Sequence, residues 1–192
     1  MSIETGSPRP MPLRPLALAL LIIIADQVSK LMLIDLMADR SCREIGGLPH
    51  LCEPVVLTSW FNLVMVWNTG VSFGLFSNGG DSSRYILGVI NLVVATGLTI
   101  WLWRTPETRL RLGLAFVIGG AVGNAIDRFN YGAVADFFDV FLSGAAGEWA
   151  FRTLGSNHWP AFNIADMAIS LGVIILVFDS LFGGGESSKR AS

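Results

Sequence analysis

The chain has 192 residues, of which 52% are hydrophobic and only 15% charged, and its formal net charge is −2. An ordinary soluble domain carries roughly 25% charged residues, so the polar surface needed for a water-soluble globule is missing. No block of like charges exceeds a dipeptide, which sets nucleic-acid binding aside.

A helix needs about 20 mostly apolar residues to cross the hydrocarbon of a bilayer. Four segments approach this, at about 13–37, 85–103, 110–128 and 161–182, and predict a mainly α membrane protein with four transmembrane helices. The first follows Arg9 and Arg14, and its run from Pro15 to Ala25 has the length of a signal-peptide core. It continues through Asp26-Gln27-Val28-Ser29-Lys30 into Leu31-Met32-Leu33-Ile34 without an Ala-x-Ala-like site, so it reads as a retained span. Asp26 and Lys30 are four apart, share a helix face and predict an internal ion pair.

Residues 38–83 read as a small β-rich platform outside the membrane. Trp60 to Trp67 is aromatic and β-branched, ends in Asn68-Thr69-Gly70 and suits a strand. Cys42 and Cys52 both fall in this platform, where a disulfide is permitted, although two cysteines alone leave free thiols equally open. Neither His50 nor His158 has a partner at metal-ligand spacing.

Tyr85 to Trp103 forms the second span and carries no charge. The third ends GGAVGNAIDRFNYGAVADFFD. Gly119 and Gly123 offer a small-xxx-small face for close helix packing. Asn124, Asp127 and Arg128 lie on one helical face, and Asp127 predicts a salt bridge to Arg128 or another cation. Asp136 follows a turn at Gly132, sits among Ala133-Val134-Ala135 and Phe137-Phe138, and has no adjacent cation, which predicts a raised pKa. Residues 129–160 read as a loop without clear secondary structure.

The fourth span opens WPAFNIADMAISLG. Pro160 suits a helix start, Asn163 and Asp166 share a face within two turns, and the N-terminal dipole favours an ionised Asp166. Asp179, farther along, reads as structural. Residues 1–182 are thus expected to form one integral membrane domain, with 183–192 as a flexible tail. Arg and Lys in the short segments put both termini in the cytoplasm. The six tryptophans, Trp60, Trp67, Trp101, Trp103, Trp149 and Trp159, fall near span boundaries and read as interface anchors, Trp149 and Trp159 also as parts of a surface lid.

Charged groups inside a span cost several kcal/mol and are rare unless paired or functional. Asp136 and Asp166, expected near one membrane face, form a pair in which one pKa is pushed up and the other down. Two carboxylates sharing a water and a proton can hydrolyse a peptide bond. The same pair could serve a proton relay in a small transporter, although four spans without an internal repeat argue against one. A purely structural subunit has no use for both.

In order, the motifs DQVSK (Asp26, Lys30), NTGVSFG (Asn68, Gly70, Phe73, Gly74), GNAIDR (Gly123 to Arg128), VADF (Asp136) and FNIAD (Phe162 to Asp166) resemble the bacterial lipoprotein signal peptidases, signal peptidase II, over nearly the whole chain. The resemblance implies an aspartic endopeptidase of the inner membrane. It would cut prolipoproteins on the N-terminal side of a diacylglyceryl-modified cysteine, without metal or cofactor, as a monomer among membrane lipids. Asp136 and Asp166 match the family's catalytic dyad. Asn124, Asp127, Arg128 and Asn163 match positions that hold the site, and Asn68, with Gly70, matches a substrate-contacting loop. The stretch between the aspartates is longer than the family pattern, and residues 144–158 read as an added loop.

Overall fold

A computed structural model describes residues 12–38, 40–45, 48–50, 52–70 and 80–182. The expectations for Arg9, Phe73, Gly74 and the tail at 183–192 lie outside the described residues. Four helices are long and apolar enough to cross a membrane: α1 (Leu13–Ala38), α2 (Gly80–Arg104), α3 (Thr108–Tyr131) and α5 (Ile164–Phe182). α2 meets that test from Tyr85 onward.

α3 is the axis of the bundle and packs against α1, α2 and α5. In its most apolar stretch 67% of the residues are buried, against 17–22% in the other three spans, whose leucines, isoleucines and valines face outward. That pattern is expected where lipid, rather than water, surrounds the bundle. Small residues make the close packing possible. A Cβ on Gly119 would lie 2.9 Å from the Ala19 carbonyl of α1, and one on Gly120 would collide with the Ala165 carbonyl of α5.

α3 ends at Gly132, which adopts φ 77° and returns its N–H to the Arg128 carbonyl at 3.1 Å. This left-handed cap suits glycine. It turns the chain directly into a strand, β5 (Val134–Val140). β5 corrects the reading of residues 129–160 as a loop. Its sequence, VADFFDV, is short and apolar around two aspartates, so period-2 alternation does not announce it. It pairs antiparallel with β4 (Phe61–Asn68), which pairs in turn with β3 (Val55–Val56). The sheet therefore draws one strand from beyond α3 and is not confined to the segment between the first two spans.

A separate hairpin, β1 (Arg43–Ile45) and β2 (Leu48–His50), is closed by a disulfide between Cys42 and Cys52. Cys52, Met65, Trp67 and Ala135 pack with Met37 at the end of α1, so the sheet is seated on the bundle through a small apolar core. Trp67 corrects the expectation of an interface anchor: it is buried, with its ring 5.2 Å from that of Tyr131. The other five tryptophans are exposed.

A further helix, α4 (Gly144–Leu154), occupies the added loop, again against the expectation of no secondary structure. The chain leaves β5 and returns along it. Leu142 N–H donates to the Asn157 carbonyl at 2.9 Å, Trp159 N–H to Val140 at 2.8 Å, and Phe162 exchanges bonds with Phe138. α5 then begins at Ile164, so Pro160 lies in this extended return and does not open the helix.

Candidate active site

Asp136 is presented by β5, opposite Val66 of β4. One oxygen, Oδ2, accepts from the Asn68 side chain at 3.1 Å, and the other accepts from Asn163 Nδ2 at 2.8 Å. Asn68 is steadied by its neighbour, since its Oδ1 accepts the Gly70 N–H at 3.2 Å. Gly70 thus orients Asn68 through its backbone.

Asp166 lies in the first turn of α5, where Asn163 caps the helix. Asn163 Oδ1 accepts the Asp166 N–H at 2.9 Å and the Asn163 N–H reaches back to Asp166 Oδ2 at 3.2 Å. This is the reciprocal geometry of a capping box, with aspartate in the usual glutamate position. The other oxygen of Asp166 accepts from Asn124 Nδ2 of α3 at 2.8 Å. Asn124 and Asn163 also touch each other, at 3.3 Å. Two asparagines therefore bridge a strand and two helices and fix both carboxylates.

Burial first, and the neighbouring charge of Asp166 second, push the Asp136 carboxyl up to about 7, against the opposing pull of its bonds to Asn68 and Asn163. Asp136 is 2% exposed, whereas Asp166 is half-buried. Asn68, Asp136 and Asp166 all line one cavity of about 840 Å³ whose remaining wall includes Trp159, Met167 and Ile174. A polar floor carrying two carboxylates thus meets an apolar wall on the lipid-facing side of α5. The arrangement can hold a water between acid and base beside an extended peptide.

Behind the dyad lies a second cluster. Lys30 is 1% exposed and pairs with both Asp26 and Asp127, at 2.8 Å each, and donates to Asn124 Oδ1 at 3.3 Å. The expected Asp26–Lys30 pair is therefore present but is part of a three-way junction. Lys30 is the cation that Asp127 finds, while Arg128 donates to the Asn124 carbonyl at 3.3 Å. The free lone pairs have a purpose. Asp26 Oδ1 accepts the Ala165 N–H at 2.9 Å, and Asp127 Oδ2 accepts the Ala135 N–H at 3.1 Å. Each dyad aspartate thus follows a residue whose backbone is tied to the buried junction.

Sequence reasoning passed over Gln27, whose Nε2 bridges Asp127 at 3.0 Å, Asp26 at 3.1 Å and the Gly123 carbonyl at 3.2 Å. A polar amide in mid-span three residues before Lys30 was the available signal. It also passed over Asp139, which accepts from Asn62 at 3.2 Å and meets His158 Nδ1 at 2.8 Å. Only the β4–β5 pairing and the return strand bring these three together. His50 Nδ1 accepts the Trp67 N–H at 3.2 Å, and burial lowers its pKa.

A family model described as signal peptidase (SPase) II matches residues 18–182. The lipoprotein signal peptidase of Nitrobacter hamburgensis is 41% identical over 160 residues, covering 82% of this chain and 85% of that protein. That of Methylobacterium sp. strain 4-46 is 38% identical over 177 residues, covering 91% and 94% respectively. A bacterial membrane enzyme solved by the in meso method is similar with a TM-score of 0.65 at 23% identity, over 92% of each chain. That likeness concerns the fold.

Proposed function

We propose that in this chain, which belongs to the signal peptidase II family, Asp136 and Asp166 are the acid and base of an aspartic endopeptidase. The enzyme removes signal peptides from prolipoproteins, and we assign the cut to the N-terminal side of a diacylglyceryl-modified cysteine. The observation that carries the dyad is that two carboxylates from separate elements, joined through Asn163, face one cavity.

Burial and the neighbouring Asp166 charge raise Asp136 to about 7, which keeps a proton available to the pair close to neutral pH. The ionised carboxylate takes a proton from water, and the oxygen of that water bonds to the scissile carbonyl carbon. The protonated carboxyl donates to the carbonyl oxygen. The partner carboxyl then passes the proton it took from water to the leaving nitrogen as the C–N bond breaks, while the first donor recovers a proton from the resulting gem-diol. A carboxylic acid is left on the signal peptide and a free amine on the cysteine. General acid-base catalysis contributes about 10² to 10⁴ in rate, so positioning must supply much of the rest. Asn68 is placed to hold the substrate backbone, and Asn124, Asn163 and the Lys30 junction hold the carboxylates.

The chain is a multi-pass protein of the inner membrane. Both termini cytoplasmic, the dyad near the outer face, one integral membrane domain at 1–182 and a monomer among lipids complete the proposal. Family membership favours proteolysis over proton-coupled transport by the same aspartates. Purified protein incubated with a prolipoprotein tests this: the diacylglyceryl-modified form should be cut before its cysteine and the unmodified form left whole. Equal cutting of both forms would refute the lipid requirement.

A further inference from the structure

The added helix α4 belongs to neither the dyad nor its supports, and its surface is unusual. It touches the rest of the protein through its smallest residues: Gly147 and Ala150 are its buried positions, and a Cβ on Gly147 would collide with the Leu142 carbonyl. Its large apolar side chains point away, with Trp149 61%, Phe151 62% and Leu154 72% exposed. Its charges, Glu148 and Arg152, form a separate stripe one turn apart and face each other at 3.5 Å.

Phe151 and Leu154, three residues apart, share one side of α4, whereas Trp149 lies across the Glu148–Arg152 stripe from them. An exposed aromatic and aliphatic pair beside an ion-paired stripe, on a helix too short to span, describes a helix that lies in the interfacial plane. Its position agrees. Trp159, 69% exposed, shares a cleft with Ala150 and Leu154 of α4, and it also shares the active-site cavity with Met167, Leu171 and Ile174 of α5. The apolar surface of α4 is therefore continuous, through Trp159, with the lipid-facing wall of a spanning helix. The return segment that carries Trp159 is pinned to β5 by its backbone and by the His158–Asp139 contact, so α4 has a fixed height relative to the start of α5.

We propose that α4 is an interfacial anchor: its Phe151–Leu154 side beds into the headgroup and acyl boundary of the leaflet on the sheet side of the bundle and holds Trp159 at the mouth of the cavity. The proposal rests on the membrane placement of the four spans and is independent of the dyad assignment.

Because Cys42 and Cys52 are bonded to each other, single cysteines introduced as Trp149→Cys, Phe151→Cys, Leu154→Cys or Arg152→Cys can each carry one nitroxide. After reconstitution into phosphatidylethanolamine–phosphatidylglycerol vesicles, collision with oxygen and with a nickel chelate reports the depth of each label. Retained prolipoprotein cleavage by each labelled variant confirms its fold. The ratio of oxygen to nickel accessibility should be several-fold higher at 151 and 154 than at 149 and 152. Equal ratios at all four positions would place α4 in water and overturn the proposal. Shielding of 151 and 154 from both reagents, the mark of a second protein copy on this side, would also overturn it.

Discussion

Asn163 exchanges two hydrogen bonds with Asp166, at 2.9 and 3.2 Å. Its amide nitrogen reaches Asp136 Oδ1 at 2.8 Å in the same arrangement. One side chain thus caps α5 and sets the distance between two carboxylates that come from different elements.

Asn163→Ala should therefore act mainly on the chemical step. Losing a preorganised donor in a catalytic site costs about 10² to 10³ in rate, and losing a helix cap about 0.5–2 kcal/mol in stability. Steady-state kinetics should show kcat falling by about that factor with KM little changed. A rise in KM at constant kcat would mean that Asn163 binds substrate and does not position the dyad.

Lys30→Met should be among the most destabilising single changes. Lys30 is surrounded by Asp26 and Asp127, both 0% exposed. Removing one partner of a buried pair leaves uncompensated charge and costs about 3–5 kcal/mol. Thermal unfolding in detergent should show a large drop in Tm. Asp26→Asn should also loosen the Ala165 backbone next to Asp166, and so lower activity in protein that remains folded.

The raised pKa of Asp136 sets the sign of a pH effect. In the folded protein it is pushed up to about 7 from an ordinary 3.8, so between these pH values the folded state binds more protons than the unfolded state. Stability must then fall as pH rises through that window and level off above it. Asp136→Asn removes the titration, so its Tm should vary less between pH 4 and 7 than the parent's and exceed it at pH 7. Parallel Tm curves would show that Asp136 is not the group that titrates. The proton shared by the dyad is lost over the upper part of the same window, so kcat/KM should decline above about pH 7.

The excursion through α4 should be dispensable for basal catalysis in detergent. Leu142 and Asn157 are joined by a 2.9 Å backbone bond and by Asn157 Nδ2 to the Leu142 carbonyl at 3.0 Å, so the two ends of the loop already meet. Replacing residues 144–155 with a two-residue Asn-Gly turn preserves that pairing. Cleavage in detergent should stay close to the parent's, and a collapse of kcat with the fold intact would assign α4 a direct part in the site.

The four spans were legible because length and apolarity decide them. The shared face of Asn163 and Asp166 was legible from their spacing. The sequence puts the helix start at Pro160, whereas it lies at Ile164, because a proline is an obvious start signal and the Asn163 cap is not. The strand around Asp136 was not legible. VADFFDV is buried at most of its positions, and its partner β4 lies almost seventy residues earlier, so no short-range pattern reveals it. For the same reason the sequence paired Asp26 with Lys30 but did not bring Asp127 and Gln27 to them. Helix periodicity predicts neighbours within a helix, whereas the α1–α3 contact depends on glycines whose packing partner has no local mark. α4 was hidden by its composition, since Gly144, Ala145, Ala146 and Gly147 read as a linker until the contact of Gly147 with Leu142 is known.

The central claim is that Asp136 and Asp166 carry the chemistry. The most direct measurement compares single-turnover cleavage of a diacylglyceryl-modified prolipoprotein by the parent, Asp136→Asn and Asp166→Asn in detergent, with substrate binding followed in the same samples. Each variant should bind substrate about as tightly as the parent, keep a cooperative unfolding transition and lose cleavage by at least about 10² to 10⁴, the range for general acid-base catalysis. A folded variant of either residue that still cuts at a rate near the parent's would contradict the dyad.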